Sequence, residues 1–266
     1  MKLLAIGDNC VDDYVELGKR FPGGNALNVA VYASRIPGVQ AYYIGVIGSD
    51  EAGHFLLEQM KKEGLDISGV IMISGVSSVT KVLIRNGERV FAGYVEGVQN
   101  AKFPEEYLKK LKGYNLIHFK INGFGSEWIP SIRKIGGPAL SCDFSNRFDD
   151  PGTRLMPWLD YCFFSGRHLE ENGIAPKEKI RELKERTSGI VVMTLGENGS
   201  LAYDGKKLYR GFSYKVKVVD SLGAGDAYIA SFLCARHRGS TMDDSIFAGH
   251  QAAAEICKRL GAWGGN

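Results

Sequence analysis

The sequence has no Cys-x-x-Cys pair, no His-x-x-x-His and no mixed His/Cys cluster, although it holds five residues of each type. That spacing excludes the usual zinc frameworks. Cys10, Cys142, Cys162, Cys234 and Cys257 stand mostly in apolar runs, which reads as reduced thiols and a cytoplasmic setting. No apolar run approaches the roughly 20 residues of a membrane helix, and the first residues run into a strand-like stretch rather than a signal peptide. No membrane partner is therefore expected. An excess of charge of one sign is also absent: 33 basic and 30 acidic residues leave +3. That is too balanced for a nucleic-acid or anionic-lipid surface, though compatible with a local basic pocket for a phosphorylated ligand. The first apolar run is not followed by Gly-x-Gly-x-x-Gly, which argues against a dinucleotide oxidoreductase. Repeats, low-complexity segments and linkers are lacking too.

What is present fits one α/β domain over residues 1–266, with 44% hydrophobic and 24% charged residues, a chain long enough to bury a sizeable core. The most informative stretch is Val219-Asp220-Ser221-Leu222-Gly223-Ala224-Gly225-Asp226-Ala227-Tyr228. The β-branched run Lys215 to Val219 predicts a strand entering it, and apolar spacing from Ala227 to Ala235 predicts a helix leaving it. Glycines at a helix start expose backbone N–H groups that bind anions. Asp226 would stand in the first helical turn beside such an anion. A phosphate cradle with an adjacent acid is what phosphoryl transfer to a hydroxyl requires. Locally, the same pattern also fits a plain glycine turn with an acid suited to the helix dipole.

Lys2 to Ile6 predicts a buried strand ending at Gly7-Asp8-Asn9, with Asp12 and Asp13 in a loop beyond it; acids past such a strand end often face a ligand. In Phe21-Pro22-Gly23-Gly24-Asn25-Ala26-Leu27-Asn28, Pro-Gly-Gly marks a turn and a helix runs from about Asn25 to Arg35. The glycines admit a ligand close to the backbone, and Asn25 and Asn28 can bond hydroxyls; an Asn-capped helix is the plainer alternative. Further strands are expected at 41–47, 70–73, 116–119, 139–143, 161–164, 190–194, 201–203 and 208–210. Helices are expected at 50–63, 105–112, 127–135, 176–186 and 243–259. Runs 80–84 and 89–94 around Asn86-Gly87 predict a hairpin. It interrupts the alternation as a small β lid, with Tyr94, Glu96 and Gln99 within reach of a ligand, or as a functionless edge hairpin. The alternation implies a mainly parallel sheet covered on both faces.

Asp220-Ser221-Leu222-Gly223-Ala224-Gly225-Asp226 resembles the C-terminal signature of the ribokinase-like (phosphofructokinase B type) carbohydrate kinases. Gly23-Gly24-Asn25 with Asn28 resembles their N-terminal signature, Gly7 to Asp12 their first sugar-binding loop, and Thr194 to Gly199 their nucleotide turn. The resemblance implies a three-layer α/β/α fold with a central mainly parallel sheet and a small β lid, its elements near residues 11–21 and 76–99. It implies Asp226 as general base and the amides of Gly223, Ala224 and Gly225 as an anion hole. Asp12, Gly23, Gly24, Asn25, Asn28 and Glu96 would contact the sugar. Thr194, Gly196, Gly199 and Ser221 would serve the nucleotide. Asp220 and Ser221 match positions that help hold a monovalent cation such as K+ in several members. The implied donor is MgATP and the acceptor a primary sugar hydroxyl. One departure stands out: where the family carries Asn-x-x-Glu, tied to Mg2+ and phosphate, this chain has Ser165 and His168, with Glu170 or Glu171 as water-mediated substitutes.

Segments including Arg89-Val90-Phe91 to Val98 and Gly261-Ala262-Trp263 narrow the resemblance to members acting on fructosamines such as fructoselysine, at the 6-hydroxyl. The charges of such an acceptor call for acids and a base, for which Asp12, Asp13, Glu96 and Arg85 are candidates. Alternatives are another sugar or nucleoside (fructose, ribose, adenosine) and a non-catalytic sugar-binding regulatory protein, against which the retained Asp226 argues. Apolar lid residues Val82, Ile84, Val90 and Phe91 could join two copies in a homodimer or close on their own domain.

Overall fold

The computed structural model describes residues 1–85, 88–102 and 105–264. Its first strand shows why the chain forms layers. In β1 (Lys2–Ile6), Leu3 and Ala5 enter one core while Leu4 and Ile6 enter the other. A strand apolar on both faces is stable only between two layers. The same holds for β4 (Gln40–Gly48), β8 (Leu116–Lys120), β9 (Ala139–Asp143), β10 (Tyr161–Ser165) and β11 (Ile190–Thr194). With β5 (Asp66–Ile73), β12 (Ser200–Tyr203) and β13 (Leu208–Gly211), these build a nine-stranded sheet in the order β13-β12-β11-β10-β9-β8-β1-β4-β5. Only the β11-β12 and β12-β13 pairs are antiparallel. Helices α1 (Asn25–Ser34), α2 (Glu51–Lys62), α5 (Ala224–His237) and α6 (Met242–Ile256) cover one face; α3 (Ile129–Ile135) and α4 (Pro176–Lys184) cover the other. This is the expected three-layer arrangement.

A second sheet carries β2 (Cys10–Tyr14), β3 (Lys19–Gly23), β6 (Val79–Arg85) and β7 (Glu88–Val95), in the order β3-β2-β6-β7. It is the small β lid, built from the hairpin and from a pair that falls where the family resemblance puts the lid's first element, near 11–21. Cys10–Tyr14 is thus a strand, paired antiparallel to β3 and parallel to β6. The Asn86-Gly87 turn lies outside the described residues, as do the side chains of residues 84–91, among them Ile84, Arg85, Val90 and Phe91.

Three other expectations change. Lys215–Val219 is not a strand: beyond β13 the chain leaves the sheet, and the N–H groups of Val219 and Asp220 donate to the carbonyl of Cys257 at 2.8 and 3.3 Å. Glu105–Gly113 is a 3-10 helix rather than an α-helix. Helix α1 is not capped by the Asn25 side chain. Gly24 occupies the cap position with φ +105°, and Asp8 caps through space, its carboxylate accepting from Ala26 N at 3.0 Å.

The C-terminal ends of β1, β8, β9 and β11 share one edge of the large sheet, where parallel α/β sheets bind ligands. Only three residues separate the end of β1 from the start of the lid, at that same edge.

Candidate functional site

Asp226 stands in the first turn of α5, half-buried, with both carboxylate oxygens engaged. Asn25 Nδ2 donates to Oδ1 at 2.6 Å and Asn28 Nδ2 donates to Oδ2 at 2.7 Å. The structure therefore joins the two separate glycine-rich motifs directly. Asn25 and Asn28 share a face of α1 at i, i+3 spacing, and α1 packs on α5. Burial pushes the Asp226 carboxyl well above the usual carboxylate range; Asp143 and Asp8 push it the same way, and the two asparagine donors oppose them.

Behind this pair stand residues to which the sequence reading gives no role in the site. Asn28 Oδ1 accepts from Trp263 Nε1 at 2.7 Å. Asn25 Nδ2 also donates to Asp143 Oδ2 at 2.6 Å. Asp143 ends β9 and is buried, which raises its carboxyl to about 6. Lys120, ending β8, pairs with Asp8 at 3.2 Å. The signal that could have marked Asp143 and Lys120 is shared: each is a charged residue closing a mostly apolar, buried strand of the parallel sheet.

Two glycine positions show how closely the site is packed. A Cβ at Gly23 would lie 2.1 Å from Asp12 Oδ2, so the buried Asp12 carboxylate occupies the space a side chain would take. At Gly223, which has φ +77°, a Cβ would lie 2.4 Å from the Tyr32 hydroxyl. Gly223 precedes α5, and the N–H groups of Gly225 and Asp226 bond no backbone carbonyl among the described residues. Ala224 N is engaged, donating to Ser221 O at 3.3 Å. Gly225 is exposed, with open space around it. These amides offer an anion site beside Asp226.

Thr194 ends β11, and Gly196 and Gly199 (φ +60° and +91°) form the turn beyond it, apart from the Asn25-Asn28-Asp226 cluster. The chain after β13 packs on that turn: Phe212 Cα would meet a Cβ at Gly199, and Ser213 Oγ donates to the Glu197 carbonyl. Phe212, Val218, Val219 and Phe247 leave an exposed apolar surface in this part of the molecule. Glu96 is exposed at the end of the lid, and its carbonyl accepts from Ser78 Oγ at 2.5 Å. Gln99 reaches inward instead, donating to the carbonyls of Asn9 and Val46.

No group of three His, Cys, Asp or Glu residues suited to a metal occurs among the described residues. His168 pairs with Glu171 at 2.8 Å on the surface, and Glu170 is exposed. Asp220 is buried; its carboxylate accepts from Leu222 N at 2.9 Å, Tyr14 Oη at 2.6 Å and Gly261 N at 3.0 Å. These carboxylate oxygens are thus engaged by donors of the chain itself. Ser221 lies half-buried in the same turn.

An open α/β sheet with an acid and unbonded amides at one helix start, and a small second sheet entered from the same edge, is the arrangement in which parallel sheets bind ligands. A profile described as pfkB family carbohydrate kinase matches residues 6–265, and the chain belongs to that family. It is a carbohydrate kinase. Fructoselysine 6-kinase of Escherichia coli is 40% identical over 266 residues, covering 99% of this chain and 100% of that protein. A fructosamine kinase of Bacillus subtilis is 34% identical, covering 99% and 92%. The crystal structure of ribokinase from Thermotoga maritima superposes with a TM-score of 0.81 at 22% identity, covering 98% and 94%. No helix among the described residues is long and apolar enough to cross a membrane.

Proposed function

We propose that the chain transfers the γ-phosphoryl group of MgATP to the 6-hydroxyl of a fructosamine, with fructoselysine the first candidate. The observation that carries the chemistry is Asp226, held by Asn25 and Asn28 in the first turn of α5 beside unbonded amides. Its carboxylate takes the proton of the acceptor hydroxyl as that oxygen bonds to phosphorus and the bond to the ADP oxygen breaks. The N–H groups of the Gly223–Asp226 turn, chiefly those of Gly225 and Asp226, face the charge on the transferring oxygens. The asparagines fix the carboxylate, and burial keeps it raised in basicity against their donation, which suits a general base.

Asp12, Gly23 and Gly24 line the sugar side. Asn28 keeps one N–H hydrogen for a sugar hydroxyl, whereas both N–H hydrogens of Asn25 are taken by carboxylates. Glu96, at the lid, answers a positive charge on the acceptor. The turn of Thr194, Gly196 and Gly199, with Ser221 and the apolar surface near Phe212 and Val219, receives the nucleotide. Mg2+ arrives with the nucleotide, whose phosphates and waters supply most of its ligands. The names and full-length identity of the relatives support the fructosamine choice.

The test is ADP release from MgATP with fructoselysine, other fructosamines, fructose, ribose, adenosine and no acceptor. Selective turnover of fructoselysine is expected. Turnover of ribose or adenosine instead would discard the substrate and keep the chemistry. Folded protein that binds ATP and turns over no acceptor would discard both.

The lid exposes Val15 and Leu17 and, further along the sheet, Tyr94 and Val95, whereas Val82 is buried against Tyr14 and Phe21 of its own domain. We infer that these exposed apolar residues join two copies in a homodimer. Sedimentation velocity of the protein and of Leu17→Asp with Val95→Asp tests it; a wild-type monomer would overturn it.

A further inference from the structure

The proposed chemistry leaves one arrangement unexplained. The amide nitrogen of Asn25 donates one hydrogen to Asp226 and the other to Asp143, each at 2.6 Å. Its amide oxygen is buried and has no hydrogen-bond partner. A buried unpaired amide oxygen is costly, so something must hold the group this way round. Turned over, the oxygen would stand against two carboxylate oxygens. The two acids therefore choose the orientation together, at the expense of the oxygen. Asp143 is itself fixed from the other side: Ser145 N donates to Oδ1 at 2.8 Å. Ser145 is a non-glycine residue at φ +52°, a left-handed conformation uncommon for such a residue. A backbone bent to hold a carboxylate, a carboxylate holding an amide and an amide holding the base form one connected device.

We propose that Asp143 is a positioning residue of the phosphoryl transfer, coupled to Asp226 through the shared Asn25 amide so that the protonation of either acid governs the other. This rests on the reading of Asp226 as the base. Two carboxylates sharing one donor resist ionising together, and their protons leave in steps that belong to the pair. The charged and titratable groups facing the pair are Asp8 from the turn after β1, Lys120 from β8, Tyr32 from α1 and Cys142 on β9, with Arg147 beyond Lys120. Lys120 is already paired with Asp8, so the cluster gives Asp143 and Asp226 no unshared cation. The burial that holds Asp143 near 6 agrees with such a pair.

The experiment is the pH profile of kcat/KM for the acceptor in wild type, Asp143→Asn and Asp226→Asn. Removing the charge of Asp143 makes ionisation of Asp226 easier. The acid limb should then move to lower pH by roughly one unit, with kcat reduced on the order of tenfold by the loosened amide. An acid limb that stays in place, whatever the loss of rate, would overturn the coupling. If Asp226→Asn kept full turnover, the base assignment itself would fail, a different result from a fixed limb. Should Asp143→Asn not fold, the wild-type protein carrying 13C at aspartate γ-carboxyls answers the same question. Both carbons should report two steps each, and a single independent step at each carbon would overturn the proposal.

Discussion

The indole N–H of Trp263 donates to the side-chain oxygen of Asn28 at 2.7 Å, across 235 positions of sequence. Because an amide with its oxygen fixed has its nitrogen fixed too, this bond aims Asn28 Nδ2 at Asp226. Trp263 is 1% exposed, so the indole also fills space that no smaller ring would. Trp263→Phe should leave the amide oxygen unpaired, lower stability by about 1–3 kcal/mol, and reduce kcat more than it raises the KM for the acceptor. Thermal unfolding with steady-state kinetics checks both; unchanged kinetics would remove Trp263 from the site.

Asp226→Asn keeps the shape of the turn and removes the proton acceptor. Turnover should fall by roughly 10²–10⁴ while calorimetry shows ATP bound as in wild type. Wild-type turnover in this variant would end the base assignment.

Gly223→Ala places a methyl group 2.4 Å from the Tyr32 hydroxyl at φ +77°. The backbone conformation alone costs roughly 1–2 kcal/mol in an alanine. The start of α5 should shift, lowering both the unfolding midpoint and the affinity for ATP. The same substitution at Gly225, around which there is open space, should leave stability nearly unchanged. A smaller stability loss at Gly223 than at Gly225 would contradict the packing described.

The carboxyl of Asp143, raised to about 6 by burial, binds its proton more tightly in the folded chain than in the unfolded one, where about 3.9 is usual. Between those values the folded state holds the extra proton, so this group's contribution to stability is present at low pH and is lost as pH rises through 6. Asp143→Asn removes this group's part of the dependence. Relative to wild type, the variant should gain up to about 2 kcal/mol between pH 4 and 7, measured by urea unfolding. A constant difference across that range would show that Asp143 does not titrate there.

The sheet and both signature turns were legible because they depend on local pattern. Lys2–Ile6 is apolar on both faces, and the glycines of 23–24 and 223–225 sit where strand gives way to helix. Asn25, Asn28 and Asp226 were all marked in the sequence, though their mutual bonds were not. Asp143 escaped because its meaning lies in a bond to Asn25, 118 positions away; alone it is a strand end. Strand β2 is not legible from its own residues, because Val11 and Tyr14 do not alternate cleanly with Asp12 and Asp13 and its partners are β3 and β6; only the family resemblance places 11–21 in the lid. Lys215–Val219 misled in the opposite sense. It has the β-branched composition of a strand but no neighbour to pair with, and Val218 and Val219 are left 60% and 56% exposed.

Strand β2, which carries Asp12, belongs to the lid, whereas Asp226 belongs to the body of the molecule. A ligand bonded to both acids would therefore tie the second sheet to the body through itself, which couples the grip on the acceptor to the seating of that sheet.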